Sequence, residues 1–412
     1  MNKVELMAPA GNWESLTAAL NAGADSVYFG VDQLNMRARS SINFTLADLP
    51  EISKACSKKN TKSYLTLNTI IYDHDLSLIK MIIDSCKKNK ITAIIASDQA
   101  VINYAFSQGV EVHISTQLNV TNIETVKFYS HFVDVMVLSR ELSLNQVKKI
   151  TDQIKKENIK GPKGKLIEIE IFAHGALCVA VSGKCYMSLH TNNASANRGA
   201  CVQNCRKTYT VIDKETGIEL EIDNEYIMSP KDLCTIDFLD QVLDSGIAVL
   251  KIEGRGRAPE YVKAVTENYR TAIDAYEKGE YTIKLGEALK EDLRRVYNRD
   301  FWAGYYLGQK LGEFNNTNGS KATQKRVYIG SAVHYFPKVA IAQFKIEAQN
   351  INLGDKILIT GPTTGVVEHE ILSLMVDEKE VDKAVKGDEI TIPVNERIRK
   401  SDKLYKLIKN DY

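Results

Sequence analysis

The sequence predicts an α/β protein: a TIM-like (β/α)8 barrel with a cysteine-bearing insertion after strand 7, then a small C-terminal all-β barrel domain. Three observations carry this. Short apolar runs alternate with helical patterns eight times between residues 1 and 280. The alternation breaks once, at residues 174–234, which hold four of the seven cysteines together with Cys234. From Arg326 onward the pattern changes to short alternating strands separated by turn residues. The expected division is therefore 1–280 for the barrel with its insertion, 281–324 for a helical and linker segment, and 325–412 for the β domain.

Taken in order, the strand candidates are 4–8, 26–30, 62–68, 93–97, 110–115, 134–139, 167–173 and 249–253. They are short apolar runs without strict alternation, which suits parallel strands buried on both faces. Helical patterns lie between and after them at 13–22, 46–59, 76–88, 100–107, 123–131, 144–157, 235–244 and 260–278. A doubly wound open sheet is the competing arrangement of the same units. The Asn-rich stretch 315–320 reads as a linker. Beyond it the expected strands are 328–333, 339–348, 356–359, 365–375, 388–392 and 404–408.

Lys+Arg 53 against Asp+Glu 52 leaves a net charge of +1, so a nucleic-acid partner must be held by a local basic face and not by the bulk field. The N-terminal residues lack the apolar core of a signal peptide, and no apolar run approaches the ~18 residues of a membrane span. The expectation is a cytoplasmic protein without a membrane partner, where clustered cysteines read as ligands and not as disulfides.

Chemistry concentrates at the predicted upper rim. Cys178, Cys185, Cys201 and Cys205 are spaced Cys-x6-Cys-x15-Cys-x3-Cys, with glycines among them. Four thiolates suit a soft metal, either an iron–sulfur cluster or a four-thiolate zinc site. An insertion after strand 7 puts them at the C-terminal face, where barrel active sites lie. Arg37, Arg39, Arg140, Arg198, Arg206, Arg255 and Arg257 crowd the same face, as guanidinium forks do where carboxylates or phosphates bind. Gln117 ends strand 5. His174, at the end of strand 7, is the acid–base candidate, or alternatively a structural histidine; His113 lies deeper and reads as a barrel-layer residue. Glu253 and Glu170 lie on barrel strands as ion-pair partners or catalytic acids, with Lys251 sharing the parity of Glu253. No zinc-protease His pair, serine-hydrolase elbow or phosphate-binding loop is present in the sequence.

At these residues the chain resembles the collagenase-like peptidase U-thirty-two family. The resemblance rests on Glu5-Leu-Met-Ala-Pro-Ala-Gly11, Gly23-Ala-Asp-Ser-Val-Tyr-Phe-Gly30, Asn43-Phe-Thr45, Ser115-Thr-Gln117 and Ser139-Arg-Glu-Leu142. It continues through His174-Gly-Ala-Leu-Cys178, Ser182-Gly-Lys-Cys185, Asn197-Arg-Gly-Ala-Cys201, Ser229-Pro-Lys-Asp-Leu233 and Lys251-Ile-Glu-Gly-Arg255. The family name implies a protease. The resemblance to its tRNA-hydroxylating members implies oxygen-independent conversion of a wobble uridine to 5-hydroxyuridine. It further implies a 4Fe-4S cluster on Cys178, Cys185, Cys201 and Cys205, prephenate as oxygen donor, and tRNA as partner. Catalytic roles are then expected for His174 and Glu253, and substrate contacts for Arg37, Arg39, Arg140, Arg198, Arg255 and Gln117. A partner subunit is left open, as is replacement of one cluster ligand by Cys234.

Overall fold

The computed structural model describes residues 3–39, 42–217, 219–220, 227–317 and 319–410; residues 218 and 221–226 of the expected insertion, and 318 of the expected linker, lie outside them. All eight expected barrel strands are present: β1 (Glu5–Pro9), β2 (Ser26–Phe29), β3 (Lys62–Leu67), β4 (Ala93–Ala96), β5 (Glu111–Ile114), β6 (Val135–Val137), β7 (Glu168–Gly175) and β8 (Val249–Ile252). Each pairs in parallel with the next, and β8 pairs with both β7 and β1, so the ring closes. That β7–β8 ladder excludes the open sheet. Strands β2, β4 and β8 are buried at every position, which is why they read as unbroken apolar runs.

Helices α1 (Trp13–Asn21), α2 (Leu49–Lys58), α3 (Leu76–Lys88), α4 (Gln99–Ser107), α5 (Ile123–Tyr129) and α6 (Leu144–Glu157) follow the first six strands. Their starts are set locally. Asn12, Asp98, Asn122 and Ser143 each accept a backbone N–H of the first turn through the side chain. A short helix α7 (Met187–Asn192) lies within the insertion. The expected helix 235–244 opens as a tight 3-10 turn at Ile236–Phe238 before α8 (Leu239–Asp244). Helices α9 (Pro259–Glu277) and α10 (Ile283–Leu293) complete the shell.

Within residues 281–324 several contacts reach the barrel side of the molecule. The short strand Phe301–Trp302 pairs with Asp232–Cys234, which itself runs antiparallel to the end of β7. Asn315 is buried, and its N–H donates to the Ser229 carbonyl at 2.7 Å.

The C-terminal region is an antiparallel sheet whose main strands are β9 (Gln324–Phe336), β10 (Ile341–Ile346), β11 (Lys356–Gly361), β12 (Gly365–Glu370), β13 (Glu389–Pro393) and β14 (Lys403–Lys409). They share a core that includes Ile329, Phe344, Ile357, Ile390 and Leu404. Strand β9 is longer than the expected 328–333. It shifts register at Tyr328/Gly330 and again at Ala332/His334, so one strand serves two neighbours, β14 and β10. The sheet rests on the barrel through an apolar contact of Ala18 with Leu358 and Val366, a hydrogen bond from Thr17 Oγ1 to the Pro362 carbonyl (2.6 Å), and the Arg295–Glu368 ion pair (2.7 Å). Among the described residues no helix is long and apolar enough to cross a membrane.

Candidate active site

The barrel interior ends in two charged levels. In the lower one, Lys251 Nζ lies 2.7 Å from Glu170 Oε1 and 4.6 Å from the centroid of the Tyr28 ring, both charged side chains being almost fully buried. This pair cancels itself. The upper level does not. Glu253 accepts Arg37 Nη2 at 2.8 Å and the Tyr28 hydroxyl at 3.1 Å. Arg255 is buried and donates to Thr66 Oγ1 at 2.9 Å. Arg140 stacks its guanidinium 3.9 Å over Phe172 and donates Nη1 to the Ala176 carbonyl at 3.0 Å.

Three guanidiniums therefore act on one carboxylate. Burial alone would raise the Glu253 carboxyl, but Arg37, Arg140 and Arg255 bring it down to about 2. Glu253 in turn holds Arg37 well above the ordinary arginine value. Burial presses Arg255 down to about 10 against the pull of Tyr28 and Glu253. Burial and the neighbouring Glu253 also raise the Tyr28 phenol, so it stays protonated and donates. Tyr28 and Thr66 were not among the sequence candidates. Their parity on β2 and β3, inward with the residues around them, is the signal that would have found them.

His174 sits elsewhere. The β7–β8 register slips between Lys251 and Ile252, so Ile252 pairs with His174 instead of with residue 173. Glu170 and Phe172 face the lumen; the slip turns His174 outward, against Tyr261 and Tyr269 of α9 and against Phe301, at ring separations of 5.4–6.0 Å. Burial, with Arg257 nearby, lowers it to about 3, and its Nδ1 has no partner among the described residues. It is a neutral ring packed behind the barrel wall. His113 is a barrel-layer residue, 3.2 Å from Glu111 and stacked on Tyr64.

The insertion is tied down over the mouth by side-chain contacts. Arg198 forks onto Asp75 (2.6 and 3.3 Å), donates to the Ile70 carbonyl and stacks on Tyr72, so this arginine is committed to the β3–α3 loop. Arg206 donates to Ser229, to the Pro230 carbonyl and to the Leu177 carbonyl. Arg39 is exposed, and its backbone N–H donates to Gly199. Gln117 packs against Gly183, with Oε1 buried and without a hydrogen-bond partner among the described residues, while Asn119 reaches the Ser182 carbonyl at 3.1 Å.

All seven cysteines are free thiols. Cys234 is buried beside Tyr269 in the core, where burial pushes it to about 12. The other four belong together electrostatically. Burial raises the Cys205 thiol, Arg206 opposes it, and Cys178, Cys201 and Cys185 each raise it further. A charge on Cys178 raises Arg37 in the same direction as Glu253 does, though by less. Four free thiols in one electrostatic neighbourhood match the donor chemistry of a thiolate-bound cluster. Among the described residues no three His, Cys, Asp or Glu side chains are already arranged to hold a metal ion.

Comparison with known proteins follows the same outline. Residues 11–316 match Peptidase family U32. A collagenase of Porphyromonas gingivalis is 54% identical over 411 residues, covering 100% of this chain and 99% of its own length. The tRNA hydroxylation protein P1 of Bacillus subtilis is 30% identical over 396 residues, covering 93% and 89%. The tRNA hydroxylation protein P of Helicobacter pylori is 33% identical over 333 residues, covering 78% and 76%. With the family matched over residues 11–316 and a relative aligned along essentially all of its length, this chain belongs to Peptidase family U32.

Proposed function

We propose that this protein hydroxylates the wobble uridine of tRNA without molecular oxygen, with a 4Fe-4S cluster on Cys178, Cys185, Cys201 and Cys205 and prephenate as oxygen donor. The observation that supports this reading is the set of four free thiols on an insertion that Arg198 and Gly199 anchor to the rim loops, beside the guanidiniums around Glu253. When bound, the cluster supplies one-electron redox chemistry at the mouth. The chain's own side chains do the rest. Arg37, Arg140 and Arg255 gather around the single carboxylate of Glu253, and guanidinium forks so gathered suit a dicarboxylate. Glu253 remains ionised at neutral pH, so it orients Arg37 and Tyr28 and is not the proton donor. Tyr28 supplies a protonated phenol on the same carboxylate that holds Arg37. His174, neutral and behind the wall, packs and does not transfer protons in this reading. Two relatives whose names state tRNA hydroxylation support the choice of RNA.

A deletion strain analysed by tRNA mass spectrometry tests it. The wobble hydroxyl is lost on deletion and returns with the wild-type gene but not with Cys201→Ala. Unchanged tRNA in the deletion strain would sink the reading. Hydrolysis of collagen-type peptides is the second reading, favoured by the 54% identical collagenase. The groups around Glu253 are guanidiniums and a phenol, while a hydroxyl–carboxylate pair, Ser139 with Glu141, stands just beyond β6 on either side of Arg140. Gelatin cleavage by pure protein, abolished by Glu253→Gln, is the result that would establish it.

A further inference from the structure

The far end of the C-terminal sheet carries a compact basic and aromatic surface. The β9–β10 turn and the loop between β13 and β14 meet there and line a shallow cleft of about 220 Å³. Lys338, Arg397, Arg399 and Lys400 are exposed, and none lies within ion-pair distance of a carboxylate among the described residues. His334 and Phe336, two apart on β9, project on one side and stack edge to face at 4.4 Å, with Phe336 42% exposed.

This surface is held rigid. Tyr335 donates its hydroxyl to the Val394 carbonyl at 3.1 Å. Val394 N–H donates to Ala340, and Ser401 N–H to Ala332, at 2.8 Å each. The buried Asp402 accepts the Arg399 N–H at 2.8 Å, which fixes the loop's backbone and leaves the arginine side chain outside. A chain with net charge +1 thus gathers four exposed cations, of which Arg399 also acts on the buried Asp402, and two exposed rings on one preformed edge.

We propose that this edge, on the C-terminal sheet and not on the barrel mouth, is a docking surface for the folded tRNA; this rests on the RNA reading above. Cations bind backbone phosphates, and exposed rings stack on unpaired bases. Four exposed cations and two exposed rings on one edge offer more contacts than a small ligand or a short peptide would engage, and a folded RNA presents phosphates and unpaired bases together.

The test is filter binding of the full-length protein to an unmodified tRNA transcript at two salt concentrations. For the Arg397→Ala/Arg399→Ala/Lys400→Ala variant, Kd rises about 30-fold near 0.15 M salt, and the slope of log K against log salt falls by about two to three. Phe336→Ala weakens binding about tenfold with the slope unchanged. All four side chains are exposed, so far-UV circular dichroism remains that of the wild type. A wild type that binds tRNA while the triple variant binds equally well overturns this proposal alone. A wild type that does not bind tRNA overturns the hydroxylation reading as well.

Discussion

Glu253 and His174 are both buried ionisable groups, and their environments push them in ways acid titration can separate. Glu253 is held at about 2 against an ordinary 4.5. A depressed carboxylate contributes stability that is complete above 4.5 and lost as pH falls toward 2, here about 3 kcal/mol. Glu253→Gln removes that contribution and leaves three guanidiniums facing one another, so urea denaturation at pH 7 shows a loss of about 3–5 kcal/mol. His174 works in a higher window. Its native value of about 3 lies below the ordinary 6.5, so the unfolded chain takes up a proton first and stability declines as pH drops from 6.5 toward 3. His174→Phe therefore keeps wild-type stability at pH 7 and flattens the decline between pH 6.5 and 4.5. If the ring only packs, tRNA hydroxylation by this variant stays within a few-fold of wild type. A loss of 100-fold or more with the fold intact would return His174 to the chemistry. The sequence showed both residues at strand ends but could not separate them. The separation depends on a one-residue register slip between β7 and β8, a tertiary feature with no local signal.

The barrel strands were legible because burial on both faces demands continuous apolar runs, and their helices because amphipathic periodicity is local. The insertion was legible only as a cysteine pattern. Its turns are short, and what fixes them is contact with distant loops. Arg198 shows this. Read as a substrate ligand, it instead holds Asp75, whose carboxyl would rise on burial but is lowered by the Arg198 hydrogen bonds. Arg198→Ala removes this charged fork, at a cost of roughly 2 kcal/mol. Limited proteolysis within 176–217 then speeds up roughly tenfold or more while the barrel's melting temperature holds. Gly199 belongs to the same anchor. It has φ +79°, and a Cβ there would overlap the Asn35 carbonyl oxygen, so Gly199→Ala lifts the insertion off the β2 loop and gives the same proteolytic phenotype. If either variant is cut at the wild-type rate, the insertion is held by something other than these contacts.

At the scale of the whole molecule, the thiol group and the main core are separate. The core runs through the barrel strands and their helices, from Leu6 to Tyr306. Cys178 is exposed, and Cys185, Cys201 and Cys205 are half-buried at the mouth. A centre bound by these four therefore closes over a fold that stands without it, unlike small domains whose folding free energy is the metal's binding free energy. The docking surface proposed above belongs to the C-terminal sheet, which has a core of its own. Protein purified anaerobically carries about four irons and four sulfides per chain in this reading. Chelation after reduction removes them and abolishes hydroxylation. The melting temperature then falls by only a few degrees, because the apolar contacts that dominate stability are untouched. Affinity for tRNA stays within a few-fold, because the cations on the far edge do not depend on the mouth. Cooperative unfolding on chelation would show that the thiols organise the barrel itself. Loss of tRNA affinity without unfolding would place the RNA contacts on the insertion instead of on the C-terminal sheet.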